Sequence, residues 1–546
     1  MKHFFNRRET IVTEALDGLL LTSTPGRLAR LDTFPEIKVI LRADWDKSKV
    51  AIISGGGAGH EPSHAGFVGQ GMLSAAVSGE IFASPSVDAV LTAIRAVTGP
   101  KGALLIVKNY TGDRLNFGLA AEKARAEGFD VEMVIVADDI AIPGINQPRG
   151  VAGTLFVHKI AGFHAEAGAG LKMVAAEAAA AARDIVSLGM SLSTCSVPGQ
   201  AHEDRLGAKE GELGLGIHGE PGVERIALQP VSDLVATMTE RLAAKLDGAE
   251  DYCLLINNLG AVPPLEMSVI ANAVLSSSLA DRVRLIIGPA PMMTALNMNG
   301  FSLSLIRLDA ARQAALKAGV EPHAWPSATE RHEIAVVPAP HKASALHGTT
   351  SASHDKQTRR LLMALCEHLM SLESELNRLD SRVGDGDTGS TVAMGARSIL
   401  SRIDTLPLKD PAATMASVGE ILSTSMGGSS GVLLSIFFTA ASKAMAEKSD
   451  IAPALLAGLD RMTFYGGAGV GDRTMVDALA PALAALSSGD VAAAARAAAA
   501  GAESTRVMRK AKAGRASYVG EKDLEGVPDP GAVAVAGVFE IAATLA

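Results

Sequence analysis

Cysteine is scarce in this chain, and so are tryptophan and tyrosine: three, two and four residues among 546. Cys195, Cys253 and Cys366 are far apart and odd in number, with no CxxC pair and no Cys/His ligand spacing. That excludes a disulfide scaffold or zinc motif and predicts reduced, packed thiols in a cytoplasmic protein. Positive charge is short too. Fifty Lys and Arg against 59 Asp and Glu leave a net charge of −9, whereas nucleic-acid and anionic-membrane partners need clustered basic residues. No apolar run is expected to reach the roughly 18–20 residues that span a bilayer. The N-terminal MKHFFNRRET reaches Glu9 without the apolar core of a secretory signal. GxxxxGK[ST] is missing throughout, so any nucleotide site is not a P-loop.

What remains is a globular composition, 48% hydrophobic and 20% charged, in a chain long enough for two to four domains. Over residues 49–335 short apolar runs alternate with helical ones. Strands are expected at 49–54, 103–110, 131–137, 187–194, 253–260 and 284–288, with Ala-rich helices such as 114–128 between them. This alternation predicts an α/β domain of βα crossover units, in two subdomains. Ligands of such sheets bind at the carboxyl ends of strands, and three loops stand out.

The first is GGGAGHEPSH (55–64), which follows a strand but carries His60 where a dinucleotide turn needs its third glycine. A Rossmann site is rejected, while glycines still let backbone approach a small ligand with His60 beside it. The second is KNYTGD (108–113), where Lys108 closes a strand and Asp113 opens a helix, by default as an N-cap. The third is GLGIHGEPG (214–222), a glycine-rich loop around His218; loop histidines are usually just exposed, but this one is hemmed by glycine.

Residues 336–356 have linker composition, rich in Pro, Ala, Ser, Thr and His. The expected domains are therefore 1–335 and 357–546. Beyond the linker, leucines 361, 365, 369, 372, 376 and 379 recur at helical spacing. Further helical patterns follow at 410–424, 431–447, 452–464, 474–487, 490–511 and 531–545, which predicts an all-α bundle. Within it, DSRVGDGDTGST (380–391) crowds Asp380, Asp385 and Asp387 among three glycines. Three glycines in six residues argue against a helix there, so the stretch is expected to be a tight loop. Its three carboxylates repel unless a cation sits between them, and hard oxygen ligands suit Mg²⁺ or Ca²⁺. An EF-hand fails because Ala396 stands at loop position twelve. Thr388, Ser390 and Thr391 then open a helix, whose amide-rich start attracts anions. The plainer alternative is that Asp and Gly serve as loop punctuation.

Taken together, GGGAGHEPSHAGFVGQGM (55–72), EIFASPS (80–86), KNYTGDRLNFG (108–118) and GIHGEPG (216–222) resemble the substrate domain of dihydroxyacetone kinases. DSRVGDGDTGST, MGGSSG (426–431), GDRTMVDAL (471–479), GRASY (514–518) and DPGA (529–532) resemble the nucleotide domain of the same family. The resemblance covers the whole chain in family order. It implies that His218 forms a covalent hemiaminal with the ketone of a short ketose. It further implies that His60 and Asp113 bind substrate and move its proton, and that Lys108 and the Gly57–Ala58–Gly59 backbone contact it. Asp380, Asp385 and Asp387 would hold two Mg²⁺ ions with ATP. Nucleotide contacts would come from Thr388, Gly389, Ser390, Ser429, Ser430, Gly466, Met475, Arg515, Asp529, Pro530 and Gly531. A homodimer is the family expectation.

Three functions of different class compete on these residues. An ATP-dependent ketose kinase needs both domains. A subunit of a phosphoenolpyruvate-driven relay would recharge bound ADP from a phosphocarrier, but no such domain is appended here. A ketose sensor would bind without phosphorylating, which the intact carboxylate trio argues against. Dihydroxyacetone is the expected substrate, with erythrulose or glyceraldehyde as alternatives, and cyclisation of FAD on the same metal site as a side activity.

Overall fold

The computed structural model describes residues 3–201, 205–248, 250–339, 351–447, 450–513 and 515–546. The chain divides into two units, Met1–Val336 and Val337–Ala546. Residues 340–350 of the expected linker lie outside the described residues.

The first unit is built on two sheets. Its strands in chain order are β1 (Leu28–Arg30), β2 (Lys38–Arg42), β3 (Ala51–Ala58), β4 (Ala75–Ile81), β5 (Ala103–Lys108), β6 (Val131–Val136), β7 (Ile185–Ser191), β8 (Glu210–Leu213), β9 (Glu224–Ala227), β10 (Tyr252–Asn258), β11 (Val283–Pro291), β12 (Gly300–Arg307) and β13 (Thr329–Glu330). One sheet runs β1-β2-β4-β3-β5-β6, the other β13-β11-β10-β12-β7-β8-β9. In the first, β4, β3, β5 and β6 are mutually parallel, with β2 and β1 added antiparallel. In the second, only β10 and β11 pair in parallel. The α/β class predicted from alternation is therefore present in mixed sheets. The antiparallel edges escaped because β1, β8, β9 and β13 have four residues or fewer, too short for periodicity to register.

Strand alternation sorts the core into layers. Ile53, Leu105 and Val107 face the helices Val87–Val97 and Thr111–Ala126, whereas Ile52, Leu104 and Ile106 face the helices Thr154–Glu166 and Leu171–Arg183. Those two helices share a core with Cys253, Leu255 and Leu285 of the second sheet. Leu254, Leu303 and their neighbours pack instead on Val231–Ala243 and Pro264–Leu275. The helix Thr154–Glu166 is consequently buried along most of its circumference, His158 and Lys159 included.

The second unit is helical, apart from an isolated bridge between Ser353 and Pro407. The leucine stripe at 361–379 spans two helices, Lys356–Ser371 and Glu373–Val383, broken at Leu372. Asp380 lies in the last turn of the second of these and not in a loop; the glycines begin at Gly384, just past the helix end. Glycine density marked the right stretch but placed its start too early. The helix Gly428–Ala446 also departs from expectation. Its 19 residues are long and apolar enough by length and composition to cross a bilayer. Phe437 and Ala441 on one face are buried, and Phe437 shares a core with Leu459 and Met462 of the helix Ile451–Gly466.

Candidate active site

Sheet order explains why scattered motifs meet. In the first sheet β4, β3 and β5 are neighbours and parallel, so their carboxyl ends open side by side. From β3 come Gly57, Ala58, Gly59 and His60; from the end of β4, Phe82 and Ser84; from β5, Lys108, Tyr110 and, one turn into the next helix, Asp113. His218 arrives from the β8–β9 loop of the other sheet.

His60 is fully buried. Its Nδ1 lies 2.8 Å from the Thr294 carbonyl, which can only accept, so Nδ1 carries the proton and Nε2 keeps a lone pair. That Nε2 is buried with no partner. The His218 ring stands edge-on to it, centroids 4.8 Å apart, and also edge-on to Tyr110 at 4.4 Å and Phe82 at 5.4 Å. Phe82 adopts φ +58° and stacks on His60. His218 is half-buried, as are Phe82 and Tyr110, whereas His60 is fully buried, so of the two imidazoles that of His218 is the one open to a ligand. Its backbone N–H donates to Glu220 Oε2 at 2.8 Å. Burial holds the His60 imidazole well below its ordinary pKa, with His218 and Lys108 adding to the effect. Burial also lowers His218, opposed by the Glu220 carboxylate. Both rings are therefore neutral near pH 7, and a neutral imidazole has a nitrogen lone pair to give.

Asp113 is not the N-cap of its helix; Tyr110 holds that place. Asp113 is buried, accepts a hydrogen bond from Ser84 Oγ, and its Oδ2 lies 3.7 Å from Lys108 Nζ. Lys108 is itself fully buried, its amine lowered by burial against the pull of Asp113. Gly56 makes room for it, since a Cβ there would sit 2.5 Å from Lys108 Nζ. All the substrate-site residues expected from sequence converge here. Phe82, Ser84, Tyr110, Glu220 and Thr294 join them unforeseen as site residues. Of these, Phe82, Ser84, Tyr110 and Glu220 lie within the motif stretches quoted above, whereas no local pattern marks Thr294.

In the second unit one oxygen from each of Asp380, Asp385 and Asp387 falls within 4.8 Å of the others. Asp380 is buried, and its Oδ2 accepts the backbone N–H of Gly386 (3.0 Å), Asp387 (2.9 Å) and Thr388 (3.1 Å). The helix Thr388–Ser401 does begin here, but its first amide is already given to a carboxylate. The next one described, Ser390 N–H, goes to Asn377 Oδ1 at 3.0 Å. The expected anion-attracting start is thus filled by side chains of the preceding helix, Asp380 and Asn377. A three-carboxylate donor set of this spacing fits a hard divalent cation. Gly389 permits the geometry, because a Cβ there would lie 2.0 Å from the Glu373 carbonyl on the neighbouring helix.

The remaining nucleotide candidates sit at helix ends. Ser429 and Ser430 occupy the first turn of Gly428–Ala446, and Gly466 closes Ile451–Gly466. Met475 is the N-cap of Val476–Leu486, and a Cβ on Gly531 would lie 3.3 Å from it. Asp529 caps Pro530–Leu545 through Ala532 N–H at 2.8 Å. Burial pushes Asp529 up to about 6, with Arg473 opposing and Asp477 and Asp380 reinforcing. So contacts and charge tie Met475, Asp529 and Gly531 to the Asp380 region, and no described contact reaches Asp380 from Ser429, Ser430 or Gly466. Arg515 opens a short turn, and its side chain lies outside the described residues, as does Gly514 of the same motif. Arg473 was not foreseen. It is buried at φ +61°, donates to the Val527 carbonyl at 2.7 Å, and keeps Nε and Nη1 without a partner.

Comparison with known proteins now bears on this pair of sites. The Dak1 domain model matches residues 23–324 and the DAK2 domain model residues 382–544. Over 542 residues, 98% of both chains, the sequence is 49% identical to the dihydroxyacetone kinase of Citrobacter freundii. The chain belongs to the dihydroxyacetone kinase family. The crystal structure of the C. freundii kinase in complex with AMP-PNP and Mg²⁺ aligns over 100% of this chain and 99% of that one, with a TM-score of 0.74 at 47% identity. A mouse relative named triokinase/FMN cyclase is 42% identical over 98% of this chain and 97% of its own. The DAK2 match begins two residues after Asp380, and the structure gathers that aspartate with the other two.

Proposed function

We propose that this chain transfers the γ-phosphoryl group of ATP to a terminal hydroxyl of dihydroxyacetone, held meanwhile as a hemiaminal on His218. The observation that carries this reading is the pairing of a ligand-accessible, neutral His218 with the unpartnered Nε2 of His60. The nitrogen lone pair of His218 adds to the ketone carbon, the carbonyl oxygen takes up a proton, and the imidazole gives up its own N–H proton. Fixing a three-carbon ketose in this way supplies orientation that its few contacts could not, a term worth up to roughly 7–11 kcal/mol of a barrier. The same bond needs a carbonyl, so glycerol is refused by its chemistry. The hydroxyl that attacks phosphorus loses its proton to His60 Nε2 or to the Asp113 carboxylate, while Lys108 and the Gly57–Ala58–Gly59 backbone hold the sugar.

Phosphoryl transfer asks mainly for alignment and neutralised charge. Asp380, Asp385 and Asp387 would hold two Mg²⁺ ions, which when bound neutralise triphosphate charge. Thr388, Gly389, Ser390, Ser429, Ser430, Gly466, Met475, Arg515, Asp529, Pro530 and Gly531 are our candidates for the nucleotide. A homodimer and a reducing, cytoplasmic setting, consistent with three free cysteines, complete the reading. A sensor that only binds ketose would have no use for the carboxylate cluster.

The test is ATP-coupled turnover of the purified chain with dihydroxyacetone, erythrulose, glyceraldehyde and glycerol, and a parallel arm with FAD. Dihydroxyacetone should be the best acceptor and glycerol inert. Equal turnover of glycerol would overturn the covalent mechanism, and ketose binding without turnover would make the chain a sensor.

A further inference from the structure

Behind the groups that face the ketose runs a buried chain of polar side chains to which the function above gives no task. Lys108 Nζ lies 2.7 Å from His64 Nε2 and 3.1 Å from the Gly55 carbonyl, with Asp113 Oδ2 at 3.7 Å. On its other side His64 Nδ1 lies 3.5 Å from Ser54 Oγ. His158 Nε2, from the helix between the sheets, is 3.1 Å from the same oxygen. Ser54, His64 and His158 are all buried.

One end of this chain fixes every proton in it. Ser54 has a single hydroxyl proton, and it goes to the Ile106 carbonyl at 2.7 Å, which can only accept. Both histidines must therefore donate to Ser54 Oγ. A neutral imidazole that donates from Nδ1 has a lone pair at Nε2, so His64 must accept from Lys108. The remaining nitrogen of His158, Nδ1, is left bare, and it is indeed buried without a partner. Burial keeps both rings neutral, His158 being pushed down to about 3 and His64 well below its ordinary value. Around the ammonium, Gly55 O and His64 Nε2 then lie at hydrogen-bond distance and Asp113 Oδ2 at ion-pair distance.

We infer that His64, oriented by Ser54 and His158, is the positioning residue that keeps Lys108 a charged donor aimed along Asp113 at the ketose. The inference rests on the reading of Lys108 as a substrate contact. Lys108 is faced by Asp113 from its helix, His60 and His64 beyond β3, His158 from the inter-sheet helix and His218 from the β8–β9 loop. Only Asp113 among these favours its charge electrostatically, so the lone pair of His64 is the other side-chain group that stabilises the ammonium. Without it the amine either turns away or loses its proton at lower pH.

His64→Leu and His64→Gln in the full chain separate this from packing, because a glutamine amide oxygen can reach the place of Nε2. His64→Leu should lower kcat/KM for dihydroxyacetone by about 10- to 100-fold, the loss expected for a hydrogen bond to a charged group, and move the alkaline limb of the pH profile to lower pH. His64→Gln should restore most of the rate and return the limb. Equal losses in both variants, or an unshifted limb in His64→Leu, would overturn the inference. A second measurement does not depend on turnover. In ¹⁵N-histidine-labelled wild type, the resonance that disappears in His64→Gln should belong to a neutral ring protonated at Nδ1. Protonation at Nε2 would overturn the relay even in an active enzyme. Absence of turnover in wild type would count against the proposed function and leave the tautomer reading to decide the relay.

Discussion

At the scale of single residues, two histidines 4.8 Å apart do different work because their surroundings differ. His60 is walled in, one nitrogen given to Thr294 and the other bare; His218 keeps an open edge. His218→Ala tests the division. It removes ring contacts with Phe82, Tyr110 and His60 and should cost only about 1 kcal/mol of stability, the ordinary effect of a substitution at a half-buried site. The covalent adduct with dihydroxyacetone should vanish from the intact-protein mass. The preference for dihydroxyacetone over glycerol should collapse by loss on the ketose side, from a selectivity on the order of 10⁴. A variant that keeps both ketose turnover and rejection of glycerol would sink the hemiaminal. His60, Lys108 and His218 were legible in the sequence because each sits in a glycine-marked loop or at a strand end, whereas Asp113 read by default as an N-cap and only the family resemblance pointed to it. Thr294 was not, since it reaches His60 through a backbone carbonyl 234 positions away, and a carbonyl leaves no trace in residue type.

At the scale of elements, the acidic cluster is a helix end, a glycine turn and a helix start folded around one carboxylate. Asp380 is both ligand candidate and scaffold: it gathers three N–H groups that would otherwise lack an acceptor. Asp385 and Asp387 are exposed, and neither side chain accepts those three amides. Asp385→Ala or Asp387→Ala should therefore lower turnover by about 10³-fold, the several kcal/mol a catalytic metal supplies, while the thermal midpoint of the magnesium-free protein falls less than in Asp380→Ala. Asp380→Ala should lose the same activity and also about 2–3 kcal/mol of stability from unsatisfied amides. Calorimetry on the three variants with and without Mg²⁺ reads the difference; equal destabilisation in all three would refute the division of labour. Sequence spacing gave away the cluster but not this hierarchy. A helical Asp380 and two loop aspartates look alike in DSRVGDGD, and only the hydrogen bonds tell which one holds the turn together.

At the scale of the whole molecule, alternating strand and helix patterns foretold an α/β part followed by an all-helical one, because long βα units and leucine stripes are periodic over many residues. They did not foretell that short antiparallel edges complete both sheets. Nor did they show that the His60–His218 site draws on both sheets, joining parallel-strand ends of one to a loop of the other. Gathering the site across two sheets has a consequence for stability. His60, His64 and His158 all titrate below their ordinary value, burial being the largest cause for each. Below pH 6.5 the unfolded chain binds protons at these rings and the folded one does not. Stability should therefore be full above pH 6.5 and fall as pH drops, by about 1.4 kcal/mol per pH unit for each ring. Three such rings approach about 4 kcal/mol per unit, offset in part by Asp138, whose carboxylate burial pushes up to about 6 so that the folded state takes up its proton over the same range. The scarcity of tryptophan makes this measurable, since Trp45 and Trp325 both belong to the first unit and the second has none. The urea midpoint followed by tryptophan emission should thus fall steeply between pH 6.5 and pH 5. His158→Leu should flatten that slope by the contribution of one ring, about 1.4 kcal/mol per pH unit. A midpoint that stays level from pH 7.5 to pH 5 would mean that these histidines accept protons in the folded state, and would remove the neutral lone pairs on which both the His60–His218 pairing and the Lys108 relay depend.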